Sequence, residues 1–120
     1  MKSSGWIGVD LDGTLAHYDG HKGHSHIGEP VPAMVERVKR WLAEGRDVRV
    51  FTARVTAGQD DRDLLLIRRV IETWCSRHLG AVLPITNVKD YAMDELWDDR
   101  AVAVEANTGR PLNPSRRGLE

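Results

Sequence analysis

The chain holds a single cysteine, Cys75, among its 120 residues. That excludes an intramolecular disulfide framework and suits a reducing compartment, so a cytoplasmic location is expected. An excess of charge is missing too. The 17 Lys+Arg against 18 Asp+Glu leave a formal net charge of −1, which gives no support for a global nucleic-acid footprint or a polybasic membrane surface. Long hydrophobic runs are also lacking. No stretch approaches the roughly 20 apolar residues of a membrane span, and Met1-Lys2-Ser3-Ser4-Gly5 leads into too short an apolar run for a signal peptide. There is no internal repeat and no long low-complexity segment. What remains is a globular composition, 41% hydrophobic and 29% charged, in a chain of the right length for one domain over residues 1–120.

Trp6-Ile7-Gly8-Val9 is a short apolar run ending at Asp10, the pattern of a buried parallel strand. Residues 16–30 are Gly- and His-rich without a period and read as a flap loop. From Val31 to Ala43 the apolar spacing is helical, with Pro32 suited to a first turn and Gly45 to a stop. Asp47 to Phe51 reads as a second strand. Asp60 to Leu79 is the longest helix, with Leu64, Ile67, Ile71 and Trp74 on one stripe and Gly80 beyond its end. Ala81 to Ile85 reads as a third short strand interrupted by Pro84. Tyr91 to Met93 suits a helical turn, and Ala101 to Val104 another short strand. A Pro-, Asn- and Arg-rich surface tail covers 108–120. This alternation predicts an α/β domain with a mainly parallel sheet, which binds ligands beyond the carboxyl ends of its strands.

Four polar clusters follow those strands: Asp10-Leu11-Asp12-Gly13-Thr14, Thr52-Ala53-Arg54, Asn87-Val88-Lys89 and Asp98-Asp99. Aligned strand ends would gather up to four carboxylates, one lysine and one or two hydroxyls. Carboxylates that close repel one another, and a hard cation such as Mg²⁺ relieves the repulsion through oxygen ligands. Lys89 and Thr52 add donors for an anion. Metal, carboxylate nucleophile and anion donors together describe phosphoryl transfer.

Asp10-Leu11-Asp12-Gly13-Thr14-Leu15, Phe51-Thr52-Ala53-Arg54, Lys89 and Asp98-Asp99 follow the order and spacing of four motifs. In this the sequence resembles the haloacid dehalogenase (HAD) superfamily, most of whose members are Mg²⁺-dependent phosphohydrolases, over residues 6 to about 104. The resemblance implies a HAD-like Rossmannoid three-layer α/β/α sandwich. It implies Asp10 as nucleophile, forming an aspartyl-phosphate, and Asp12 as general acid and base that also lends its backbone carbonyl to the metal. Thr52, Ala53 and Arg54 would hold the phosphoryl oxygens, and Lys89 would neutralise charge. Asp98 and Asp99 would bind Mg²⁺ with Asp10 and Asp12. The gaps between motifs leave no room for a cap domain. The expected substrate is therefore a phosphomonoester at an open site that admits bulky molecules, with residues 16–30 as a covering flap.

Plainer roles stand beside these. An EF-hand loop counted from Asp10 would need Gly and Glu where Leu15 and His21 stand, so that reading fails. Thr52 also suits a local cap, Lys89 an ordinary surface lysine, and Asp98-Asp99 a solvated turn. Arg54 and Arg100 suit ion pairs at the site edge as well as phosphate contacts. His17, His21, His24 and His26 read as a polar flap rather than a zinc site. Cys75 reads as inert, Trp41 and Trp74 as core, and Trp97 as buried beneath the site. Two other functions fit the pattern. One is a nucleic-acid end phosphatase, with Arg68-Arg69 and Arg116-Arg117 as local contacts. The other is a non-catalytic phosphate-binding or interaction module. Oligomeric state, including a homo-oligomer, is left open by the sequence.

Overall fold

The computed structural model describes residues 5–20, 22–56 and 58–113. Its elements are β1 (Trp6–Asp10), α1 (Pro32–Ala43), β2 (Asp47–Phe51), α2 (Asp61–Leu79), β3 (Ile85–Thr86) and β4 (Met93–Trp97). The strands form one parallel sheet in the order β3-β2-β1-β4. The molecule is thus an α/β Rossmannoid sandwich without a cap, as expected, although among the described residues its helices cover one face of the sheet and not the two of a three-layer form. Among the described residues no helix is long and apolar enough to cross a membrane.

The chain steps from β1 to β2 to β3 in one direction. Right-handed crossovers therefore set both helices on the same face of the sheet. Ile7 and Val9 of β1, Val48 and Val50 of β2 and Ile85 of β3 share one core with Val38 of α1 and Ile67 and Ile71 of α2. Helix α2 begins at Asp60, whose side chain accepts from the Arg62 N–H at 2.8 Å, and ends at Gly80, whose φ of 74° suits glycine. The opposite face is closed locally by Trp6. Its ring lies between the Arg49 guanidinium, 4.6 Å from the ring centroid, and Phe51, and its indole N–H donates to Asp90 at 2.8 Å.

Four elements differ from the sequence reading, among them β4, over whose residues no strand was expected. The third strand is only Ile85–Thr86. Pro84 contributes a carbonyl, which accepts from the Val50 N–H, but has no N–H for a ladder. Tyr91 and Ala92 form a turn, not a helical one, that feeds directly into β4 at Met93. Ala101–Val104 is no strand; Val104 makes only an isolated bridge to Pro111. Trp97 is half-buried against Trp41 and Arg37 of α1 rather than enclosed beneath the site. Of the tail, residues 114–120 lie outside the described residues, as does His21.

The loop between β1 and α1 is cinched at its base. The His17 N–H donates to the Glu29 carbonyl and the Val31 N–H to that of Leu15, while Ala16 pairs with Pro30. Leu11 and Leu15 anchor this base in the core. The Trp74 indole N–H of α2 donates to the Gly28 carbonyl at 3.0 Å.

Ile71 is fully enclosed, whereas Leu66 on the same helix is 53% exposed. Ile71→Ala is expected to cost about 3 kcal/mol in urea unfolding, and Leu66→Ala less than about 0.5 kcal/mol. Equal losses would mean that α2 does not pack as described.

Candidate active site

Asp10 closes β1, which lies between β2 and β4. The residues that follow the neighbouring strands therefore converge on it. Thr52 leaves β2, Asn87 follows β3, and Asp98 and Asp99 follow β4. Together they line a cavity of about 650 Å³, joined by Asp12, Ala53, Arg54 and Arg100. One carboxylate oxygen from each of Asp10, Asp98 and Asp99 lies within 4.8 Å of the others. Burial, the negative charge of Asp98 and a hydrogen bond with Asp99 push the Asp10 carboxyl up to about 8. These three groups form an all-oxygen donor set, the kind that suits a hard divalent cation.

The local backbone is shaped around Asp99. Gly13 has a φ of 91°, and a Cβ there would lie 2.5 Å from an Asp99 carboxylate oxygen, so both conformation and space require glycine. The Thr14 hydroxyl accepts from the Asp99 N–H at 3.0 Å and donates to the Asp99 carboxylate at 3.2 Å. Asp98 accepts from the Arg100 N–H at 2.7 Å. Thr52 is buried, and its hydroxyl oxygen accepts from the Arg54 N–H at 3.1 Å. That is the local cap, and it leaves the hydroxyl proton to donate elsewhere.

Arg54 is committed to neighbours within the chain. Its Nε and Nη2 grip the two oxygens of Asp12 at 2.7 and 2.8 Å, and it donates to the backbone carbonyls of His24 and His26. The structure does not bring Lys89 into the cavity wall. Lys89 is exposed, and the residue its segment contributes is Asn87. Between the two lies a turn in which the Val88 N–H donates to the Thr86 hydroxyl.

Five residues lining the cavity were not read as site residues: Tyr18, Phe51, Thr56, Gln59 and, among the flap histidines, His24. Tyr18 and His24 reach it from the loop, whose lack of period hides any facing direction. Thr56 and Gln59 belong to the polar loop after β2, where the Thr56 N–H donates to the Gln59 side chain at 2.8 Å. Cys75 is buried in α2, away from the cavity, where burial pushes its thiol up to about 11 and keeps it unreactive.

No protein-family model and no curated protein matches this chain. A solved structure of a conserved protein from Bacteroides thetaiotaomicron is similar over 83% of this chain and 79% of that chain, with a TM-score of 0.56 and 23% identity. A likeness at that identity supports the α/β fold and nothing finer.

The carboxylate cluster carries a consequence for stability. Between its ordinary value of 3.8 and about 8, Asp10 keeps its proton only in the folded state. Its contribution is therefore full below about 4 and is lost as pH rises through about 8. In metal-free protein the melting temperature should fall across that window by a few degrees. Asp10→Asn should flatten the slope, and added Mg²⁺ should restore stability at pH 8. A metal-free melting temperature that rises over this range by the same amount in both proteins would contradict the cluster's electrostatics.

Proposed function

We propose that this chain is a Mg²⁺-dependent phosphomonoesterase of the haloacid dehalogenase type, acting through an aspartyl-phosphate. The observation that carries the reading is the meeting of Asp10, Asp98 and Asp99 within 4.8 Å at the ends of adjoining parallel strands, with Asp12 and Thr52 on the same cavity. Asp10, Asp98 and Asp99, with the backbone carbonyl of Asp12, are the groups that would hold Mg²⁺. Bound there, the ion supplies the positive charge that keeps Asp10 ionised and balances the phosphoryl oxygens.

The chain's own residues do the rest. An Asp10 oxygen attacks phosphorus in line, forming one P–O bond as the ester P–O bond breaks. Asp12 gives a proton to the departing alkoxide. It then takes one from the water that attacks the aspartyl-phosphate, which releases inorganic phosphate and restores Asp10. The Thr52 hydroxyl and the Ala53 N–H are the donors nearest to hand for the phosphoryl oxygens. Lys89 would have to fold inward to join them, and Arg54 would have to leave Asp12. The single cysteine is in keeping with a cytoplasmic setting.

Phosphate release from p-nitrophenyl phosphate tests the reading. Turnover is expected with Mg²⁺ and not after chelation. Asp10→Asn should lower kcat by at least about 10³-fold, as loss of a covalent nucleophile does. Retained turnover in Asp10→Asn, with deamidation excluded by mass spectrometry, would refute the covalent mechanism. Mg²⁺ binding without turnover on any phosphomonoester would favour a binding module.

A further inference from the structure

Arg54 spends four of its N–H bonds on two targets at once. The fork toward Asp12 is bidentate, and both side chains are largely enclosed, 16% and 23% exposed. The other two bonds reach across to the flap at 2.8 Å for the His26 carbonyl and 3.3 Å for that of His24. Those carbonyls belong to a segment whose base is already fixed by the His17–Glu29 and Leu15–Val31 backbone bonds and by Trp74 on Gly28. What the base does not hold is the stretch around residues 22–26, since Ile27 already packs against the core. His24 in that stretch lines the cavity, while Ser25 and Ile27 line a second depression beside α2. The stretch is therefore a wall between two hollows, and Arg54 ties it from the cavity side.

We propose that Arg54 is a positioning residue that aims the Asp12 carboxylate and holds the flap wall over the cavity with one guanidinium. The proposal rests on the phosphatase reading for the role of Asp12, but its structural half does not. A carboxylate that must deliver a proton to one oxygen has to be held in one orientation, and small misplacements are costly. A planar fork fixes both carboxylate oxygens together, and a lysine ammonium cannot do so while also reaching two carbonyls. Each Asp12 oxygen keeps a lone pair beyond the Arg54 bond, so the grip leaves room for the transferred proton. In this arrangement Asp12 is correctly aimed only while the flap is down.

The leaving group provides a readout that mere destabilisation would not move. A good leaving group needs little help from a general acid, whereas a poor one depends on it. In Mg²⁺-loaded protein, Arg54→Ala is expected to lower kcat on phenyl phosphate about 100-fold, and on p-nitrophenyl phosphate less than about 10-fold. Arg54→Lys keeps the charge without the fork, and should show the same split even where the alanine variant folds poorly. In both variants amide hydrogens of residues 22–28 should exchange at least about 10-fold faster, with those of α1 unchanged. An equal loss on both esters overturns the positioning role. Unchanged exchange in the flap overturns the tie. If wild-type protein hydrolyses neither ester, the phosphatase reading and with it the catalytic half fall, and the exchange result alone decides the tie.

Discussion

The rest of the site is built around the mutual repulsion of three carboxylates. Asp10 closes the second strand from the edge, so the turns that follow β2 and β4 converge on it, and the turn after β4 begins with two more acids. With their oxygens within 4.8 Å, burial and the neighbouring acids together hold the Asp10 carboxyl well above the ordinary carboxylate range. The surrounding residues manage this crowding. Gly13 gives up its side chain because Asp99 occupies that space, and Thr14 holds Asp99 from both backbone and carboxylate. Arg54 neutralises the fourth acid, Asp12, and so separates it from the cluster. The protein thus pairs one carboxylate itself and leaves three carboxyl groups together, two half-buried and one exposed. In the proposed function a bound cation would balance them.

The scaffold that carries this charge is economical. Both described helices lie on one face, where the aliphatic residues of β1 and β2 meet those of α1 and α2. The other face has no described helix and relies on Trp6 between Arg49 and Phe51, with its indole N–H satisfied by Asp90. Trp6 anchors that stack at the amino end of β1, while its other end, Phe51, pairs with Asp10 and lines the cavity. The face without a described helix is thus packed right up to the candidate site.

Much of this was legible in the sequence, and for a definable reason. Strands β1 and β2 and both helices have their own apolar period, and the acids and Thr52 follow strands closely enough for the strand-end rule to gather them. What escaped reading lacks such a local signal. Strand β4 carries exposed Asp94 and Glu95 because it pairs along only one edge, so its sequence reads as a polar connection. Ala101–Val104 has the composition of a strand, but the Val104–Pro111 bridge and the bond from the Leu112 N–H to the Ala103 carbonyl do not extend into a ladder. Lys89 and Asn87 differ by two positions, and only the turn between them decides which one faces the cavity. The bonds of Arg54 to His26 and His24 span 28 and 30 residues and end on backbone carbonyls, which no side-chain pattern encodes.

The same bonds bear on how the proposed reaction would be shielded. An aspartyl-phosphate needs an environment in which water arrives only when an acid/base is placed to use it. A separate cap domain would provide that, and there is no room for one between the motifs. In the proposed reaction the loop after β1 would take its place, closed at its base by backbone bonds, braced from outside by Trp74 and tied from inside by Arg54. Its contribution to the cavity is Tyr18 and His24. Specificity would then lie in a loop of irregular sequence while the chemistry lies at strand ends. The residue that joins the two, Arg54, follows the hydroxyl of Thr52 by two positions. In the proposed reaction, the hold on the loop and the aim of the proton donor are therefore not separable functions of this site.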